Sequence, residues 1–212
     1  MLDRYTVPAI RWPLSKLAHV LDSINITANQ VTLFGFVLGC LSLPALVLEQ
    51  YLLALLLILA NRICDGLDGA VARIQGLTDA GGFLDISLDF LFYALIPFGF
   101  VLANPENNAV AGAFLIFSFI GTGSSFLAFA IMASKRDITN PSYPHKSLYY
   151  MGGLTEGTET IVCFVLFCLF PDAFSLIAYL FGFACWLTTL TRLYSGYHTL
   201  VQASANEGKC PH

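Results

Sequence analysis

The chain has 212 residues, of which 57% are hydrophobic and 11% are charged, and its formal net charge is −4. Soluble domains carry about 25% charged residues, so this composition excludes a water-soluble globular protein and indicates an integral membrane protein. The ten basic residues are scattered along the chain, which excludes a nucleic-acid partner. The six cysteines have no paired spacing, so we expect neither a disulfide framework nor a zinc site.

Residues 1–22 form the first predicted element. Apolar residues recur there at steps of three and four with basic residues between them, which is typical of an amphipathic helix on a membrane surface. Pro8 and Pro13 favour breaks in that helix, and a loosely ordered tail is the alternative. The segment has no unbroken apolar stretch, so we do not expect a secretory signal peptide.

Six apolar segments follow, and a helix that crosses a bilayer needs about 20 such residues. The segments are residues 28–47, 50–66, 82–103, 108–133, 155–171 and 173–200. The predicted fold is therefore an all-α integral membrane protein with six transmembrane helices and an N-terminal amphipathic interfacial helix. We divide the chain into that helix at 1–22, a transmembrane domain at 23–203 and a cytoplasmic tail at 204–212.

The basic residues predict the orientation of these spans. If the N-terminus is cytoplasmic, every Lys and Arg lies on the cytoplasmic side or toward the inner end of a span. The outer loops near 48–49, 104–107 and 171–172 then carry none. This is the pattern of the positive-inside rule, so we expect a multi-pass protein with both termini inside. The short chain and the lack of a secretory signal favour a bacterial inner membrane.

The stretch "DGLDGAVARIQGLTDAGGFLDISLD", residues 65–89, brings five aspartates to the cytoplasmic ends of the second and third spans. Asp65 and Asp68 share one helix face because they are three residues apart. Asp85 and Asp89, four apart, share a face of the next helix. Glycines between the two pairs favour a turn, so two antiparallel helices would bring the four carboxylates together.

Four adjacent carboxylates repel one another, so they take up protons or bind cations. Oxygen ligands favour Mg²⁺ or Mn²⁺ over zinc, and two such ions about 4 Å apart would clamp a phosphate-type substrate. Gly66 and Gly69 allow a phosphate close to the backbone, and Arg73 is placed to bind its charge. The rival functions are a proton or cation transporter and a purely structural polar network. The transporter is disfavoured because its acids would lie at the midplane of the membrane.

The same stretch resembles the signature of the CDP-alcohol phosphotransferases, which are integral membrane enzymes of lipid synthesis. That signature reads D-x-x-D-G-x-x-A-R, then a spacer, then G-x-x-x-D-x-x-x-D. The matching positions here are Asp65, Asp68, Gly69, Ala72, Arg73, Gly81, Asp85 and Asp89.

The resemblance implies a role for each of these positions. The residues that would hold two divalent ions, Mg²⁺ or Mn²⁺, are Asp65, Asp68, Asp85 and Asp89. Asp89 would also be the general base that deprotonates the attacking alcohol. The residues that would line the CDP site are Gly69, Ala72 and Arg73, with Asn29 and Thr32 of the first span beside them. For Asn29 the alternative is a helix start capped by Thr27.

The implied reaction transfers a phosphatidyl group from CDP-diacylglycerol to a small alcohol or alcohol phosphate, with release of CMP. The signature equally permits a CDP-amino alcohol as donor and diacylglycerol as acceptor. The resemblance further implies membrane lipids as partners and a homodimer.

Two groups of residues bear on the acceptor alcohol. Glu156 and Glu159, at the start of the fifth span, would suit an amine or a polyhydroxy acceptor, or they simply cap a helix. A basic set would instead suit a phosphorylated alcohol, and it consists of Lys135, Arg136, Lys146 and Arg192. Positive-inside anchoring is the favoured explanation for the first two, whereas Arg192 lies within an apolar span and is the stronger candidate.

Overall fold

The computed structural model describes residues 3–136 and 153–207, with side chains described for 12–136 and 153–202. In these residues the chain is helical and has no strand, which confirms the all-α prediction. The helices are α1 (Asp3–Ser23), α2 (Ala28–Val47), α3 (Tyr51–Gln75), α4 (Asp79–Ala103), α5 (Pro105–Lys135), α6 (Gly157–Leu169) and α7 (Phe174–Glu207), with a 3₁₀ turn at Pro171–Ala173. Lys146 lies outside the described residues, and α7 extends beyond residue 203 into the expected tail.

Polar residues fix the starts of α2, α4 and α5. Thr27 caps α2 in a capping box with Gln30, so the first apolar segment begins where the sequence predicts it. The side chain of Thr78 accepts a hydrogen bond from the backbone N–H of Gly81 at the start of α4. Asn104 caps α5, which begins with a proline. Each cap satisfies backbone N–H groups that have no partner within the helix.

Helix α1 is continuous, so the breaks expected at its two prolines are wrong. A proline removes one backbone hydrogen bond, and packing against α3 offsets part of that loss. Leu14, Ala18 and Leu21 of α1 pack against Ala70 and Val71 of α3. Its location at the membrane interface stays a prediction.

Among the described residues, four helices are long and apolar enough to cross a membrane, and the chain is an integral membrane protein. These spans are Ala28–Val47, Asp79–Ala103, Pro105–Lys135 and Pro171–Gln202. The 13 residues of α6 rise only about 20 Å, less than the roughly 30 Å of hydrocarbon in a bilayer. Helix α3 has 25 residues, but its second half carries the charged side chains of the aspartate stretch. The structure therefore supports four of the six predicted spans by length and composition.

The helices form a bundle around an aromatic core. Helix α2 packs against α3 and α4, α5 packs against α4 and α7, and α6 packs against α3 and α7. Phe100 of α4 and Phe174 of α7 stack with ring centroids 4.8 Å apart. The core ends at Phe92, whose ring centroid lies 4.3 Å from the guanidinium carbon of Arg62. Apolar packing therefore leads directly to the charged half of α3.

Glycines on α2 allow the backbones of three helices to meet beside that charged half. A Cβ on Gly39 would lie 2.7 Å from Cδ2 of Phe92 and 3.0 Å from Nδ2 of Asn61. Real Cβ atoms do not approach a ring carbon so closely, so a side chain at this position must displace its neighbours.

Gly39→Ala should lower the free energy of unfolding by about 1–3 kcal/mol, the usual range for an overpacked core. Gly82→Ala is the matched control, because no heavy atom lies within 4 Å of its Cβ position. That variant should gain up to about 1 kcal/mol from helix propensity. Denaturant unfolding of both proteins in detergent measures the difference in the free energy of unfolding. Equal stability of the two variants would show that Gly39 is not tightly packed against Phe92 and Asn61.

Candidate active site

The four aspartates of the two helical pairs line one pocket between α2, α3 and α4, as their spacing predicts. The turn at 76–78 reverses the chain, and Gly76 adopts a positive φ of 103° there, a conformation that favours glycine. The residues around the pocket are Thr32, Gly35, Phe36, Asn61, Arg62, Asp65, Asp68, Asp85, Leu88 and Asp89. Three neighbouring helices therefore contribute to a single acidic site.

A basic residue, Arg62, lies inside this acidic pocket. Its Nη1 donates to Oδ1 of Asp89 at 2.5 Å and lies 3.7 Å from Oδ2 of Asp65. The same nitrogen donates to the hydroxyl of Tyr93 at 3.3 Å. The Arg62 side chain is 8% exposed and that of Asp89 is 27% exposed. The pair is thus largely shielded from water, and charge-assisted hydrogen bonds are strongest in such surroundings.

The remaining nitrogens of Arg62 are held by its neighbour in the sequence. Nε and Nη2 both donate to Oδ1 of Asn61, at 2.8 and 2.5 Å. Nδ2 of Asn61 in turn donates to the backbone carbonyl of Gly35 on α2 at 2.8 Å. This chain of hydrogen bonds fixes the guanidinium to the backbone of α2.

Asp68 contributes a buried oxygen atom to the pocket that is suited to a cation. The residue is 4% exposed, and among the described residues its Oδ2 atom has no hydrogen-bond partner. A buried oxygen that carries charge needs a partner, and a divalent ion would supply it. Four carboxylates also carry three more charges than Arg62 can neutralise. The residues therefore fit a hard divalent cation with oxygen ligands.

The carboxylates do not all converge on one point as the side chains stand. In the described part of the chain, no three acidic, histidine or cysteine side chains meet closely enough to hold an ion. The reason is visible at Asp89, which is bound to Arg62 instead. A shared ion would require Asp89 to turn away from that guanidinium.

The residues implied in the CDP site lie around the open side of α3. Gly69 and Ala72 are half-buried and Arg73 is exposed, and Nη1 of Arg73 would lie 3.6 Å from a Cβ on Gly69. Thr32 lines the aspartate pocket. Asn29 reaches across to α4, where its Oδ1 would lie 3.1 Å from a Cβ on Gly81. All five residues therefore lie on α2 or α3, two of the three helices that line the aspartate pocket.

Glu156 and Glu159 are not among the residues that line the aspartate pocket. They form a capping box at the start of α6, in which Glu159 Oε2 accepts from the backbone N–H of Glu156 at 3.2 Å. Glu156 Oε1 accepts from the N–H of Gly153 at 3.1 Å. Of the two interpretations that the sequence allows, helix capping is the one that the geometry displays.

Arg192 is buried in α7, outside the lining of the aspartate pocket. Its Nη1 donates to the carbonyl of Thr122 at 3.3 Å, and its guanidinium carbon lies 5.7 Å from the ring centroid of Phe126. A buried cation at the same end of the bundle as the aspartates remains a candidate for an anionic ligand.

Sequence reasoning missed the residues that organise the pocket. Arg62 was assigned to positive-inside anchoring only, and Asn61 was not singled out. The available signal is that Arg62 lies within an apolar run and three residues before Asp65, which puts both on one helix face. An arginine in that position pairs with an acid more readily than it anchors a loop.

The profile of the CDP-alcohol phosphatidyltransferase family matches residues 25–194. The chain is 63% identical over 200 residues to the inner membrane protein YnjF of Escherichia coli, over 94% of this chain and 97% of that protein. It is 30% identical over 188 residues to an archaetidylinositol phosphate synthase of Pyrococcus horikoshii, over 88% and 92% of the two chains.

The fold is similar to that of a phosphatidylinositol phosphate synthase of Mycobacterium tuberculosis. The crystal structure of that protein with CDP-DAG bound has a TM-score of 0.64 and 18% identity, over 87% of this chain and 93% of that chain. A crystal structure in complex with manganese and citrate also has a TM-score of 0.64 and 18% identity, over 87% and 88%. At this level of identity the likeness concerns the fold alone.

Replacing either member of the Arg62–Asp89 pair should destabilise the protein when divalent ions are absent. Arg62→Gln should cost about 1.5–3 kcal/mol, the range for hydrogen bonds to charged groups. The double variant with Asp89→Asn should cost less than the sum of the two single variants, because neither partner is then left charged and alone. Unfolding of all four proteins in chelator measures the coupling, and strict additivity would show that the pair contributes nothing.

Proposed function

Because the chain belongs to the CDP-alcohol phosphatidyltransferase family, we propose that it transfers the phosphatidyl group of CDP-diacylglycerol to a small alcohol or alcohol phosphate and releases CMP. The observation that carries this proposal is the pocket in which four signature aspartates meet. The Mycobacterium tuberculosis synthase crystallised with CDP-DAG supports a CDP-lipid as the donor. The chain is thus an enzyme of the CDP-alcohol phosphotransferase type. What we propose is the identity of its donor and its acceptor.

We infer that Asp65, Asp68, Asp85 and Asp89 hold two divalent ions, Mg²⁺ or Mn²⁺. The unpartnered Oδ2 of Asp68 and the excess of carboxylates support a cation, and the manganese complex of the Mycobacterium tuberculosis synthase supports its identity. When bound, such ions neutralise the charge that develops on the pyrophosphate as it is cleaved.

The side chains of the pocket do the remaining chemistry. Asp89 accepts the proton of the alcohol hydroxyl, since an alcohol is a weak nucleophile at neutral pH. The alcohol oxygen then forms a bond to the phosphorus of the phosphatidyl group. The bond between that phosphorus and the oxygen of CMP breaks, and CMP leaves with the electron pair. Gly69 and Ala72 leave room for the nucleotide beside α3, and Arg73 contributes a positive charge to its phosphates.

For the acceptor we propose an alcohol phosphate. Arg192 supplies a buried positive charge at the aspartate end of the bundle, and such a charge suits a phosphate better than an amine. The named activities of the relatives from Pyrococcus horikoshii and Mycobacterium tuberculosis support a phosphorylated inositol as the first compound to test. Glu156 and Glu159 contribute less to this choice, because capping occupies them.

Purified protein with labelled CDP-diacylglycerol and a panel of acceptors tests the function. The panel should contain inositol phosphate, glycerol phosphate and unphosphorylated alcohols, with CMP release as the readout in detergent. A second assay offers CDP-ethanolamine and diacylglycerol, since the signature also permits that reversed arrangement. Ion flux in sealed vesicles without CMP release from any CDP-linked donor would instead support a transporter.

Replacing Asp89 by Asn should reduce turnover by about 10²–10⁴, the usual contribution of a general base, and leave donor binding largely intact. Asp65→Asn removes a charged ligand and should weaken both metal binding and turnover. The control is Asp79→Asn, which changes an exposed aspartate outside the pocket and should stay close to the parent. Normal turnover of Asp89→Asn at saturating metal would show that another residue is the general base.

We further infer that α3 and α6 complete six spans in an inner membrane, with the aspartate pocket on the cytoplasmic side. The inner-membrane relative from Escherichia coli and the distribution of Lys and Arg support this orientation.

This topology predicts how single cysteines react in intact cells. Helix α4 separates position 80 from position 106, so these two exposed positions should lie on opposite sides of the membrane. Glu106→Cys should react with an impermeant thiol reagent added from outside, and Ala80→Cys should react only after the cells are broken. The opposite pattern would show that the topology is inverted and that the pocket faces the outside of the cell.

A further inference from the structure

We propose that Arg62 is the built-in counter-ion of the aspartate pocket and that its guanidinium competes with one of the two divalent ions for Asp89. The second ion then binds tightly only together with the pyrophosphate of a donor. This inference rests on the proposed function and adds the order in which the two ions and the donor bind.

The first argument is the contact that Arg62 makes. A single nitrogen, Nη1, approaches both Asp89 at 2.5 Å and Asp65 at 3.7 Å. These carboxylates belong to different helices, α4 and α3, and both belong to the signature. The guanidinium therefore bridges the two halves of the acidic cluster, where an ion shared by the two helices would have to bind.

The second argument is that Arg62 is anchored independently of the acids. Asn61 binds Nε and Nη2, and Asn61 is itself bound to the backbone of α2 through Gly35. The ring of Phe92 lies against the other side of the guanidinium, with 4.3 Å between its centroid and the guanidinium carbon. Asp89 can therefore turn toward an ion while Arg62 stays in place as a permanent positive charge.

The third argument is the balance of charge. Four carboxylates and one guanidinium leave three negative charges, and one divalent ion reduces this excess to one. A second divalent ion would make the shielded pocket positive, which is unfavourable without an added anion. The pyrophosphate of a CDP-linked donor supplies that anion. Without Arg62, two divalent ions would balance the four carboxylates and need no donor.

The test is Mn²⁺ binding, followed by the loss of the electron paramagnetic resonance signal of free Mn²⁺ in detergent. The parent protein should bind one Mn²⁺ tightly, and addition of CDP as a soluble pyrophosphate probe should raise the number to two. Arg62→Gln should bind two without CDP. Its second site should be tighter than that of the parent by about 10- to 150-fold, the factor equivalent to a hydrogen bond to a charged group.

Lys16→Gln is the control, because it removes the same charge from an exposed residue of α1 that does not line the aspartate pocket. It should bind one Mn²⁺ before CDP is added, like the parent. Two tight ions in the parent without CDP, or equal binding by the parent and Arg62→Gln, would overturn the competition. If Arg62→Gln does not fold, Arg62→Met, which also removes the charge and keeps an apolar stem against Phe92, takes its place with the same expected result. Failure of every protein to bind Mn²⁺ would instead contradict the metal chemistry of the proposed function.

Discussion

Four carboxylates at one end of an apolar helix bundle cannot all remain charged unless cations accompany them, and much of this structure follows from that constraint. Each acid is placed by simple helical spacing, on α3 for Asp65 and Asp68 and on α4 for Asp85 and Asp89. The protein itself contributes one cation, Arg62, and leaves Oδ2 of Asp68 without a partner in the described residues. In the proposed function, divalent ions supply the balance from outside the chain, and the pocket is then a binding site rather than a structural network.

Helices α1 and α2 hold α3 and α4, the two helices that carry the aspartates, in place. Helix α2 approaches α3 and α4 closely at Gly39. The backbone carbonyl of its Gly35 accepts a hydrogen bond from Asn61. Helix α1 packs beside the acids, since a Cβ on Gly66 would lie 2.9 Å from Cδ1 of Leu14. Gln75, at the end of α3, donates to the carbonyl of Ile26 at 2.9 Å. The half of α3 that carries Asp65 and Asp68 is thus held by contacts on several sides.

The sequence predicted the parts of this structure that depend on local pattern. Apolar runs located the six helices after α1, and the spacing of the aspartates predicted that the four carboxylates line one pocket. Two features depend on contacts between distant residues and could not be predicted that way. The continuity of α1 through its prolines depends on its packing against α3, and the role of Arg62 depends on Asp89, which is 27 residues away. The capping role of Glu156 was one of two open interpretations, since spacing alone does not say which way a side chain points.

Anomalous diffraction at the manganese edge, from crystals grown with Mn²⁺ and CDP-diacylglycerol, tests the central claim most directly. Manganese peaks should lie between α3 and α4, within coordination distance of Asp65, Asp68, Asp85 and Asp89, with the pyrophosphate of the donor beside them. Strong peaks elsewhere, or a bound donor whose pyrophosphate lies away from these aspartates, would contradict the assignment of this pocket as the active site.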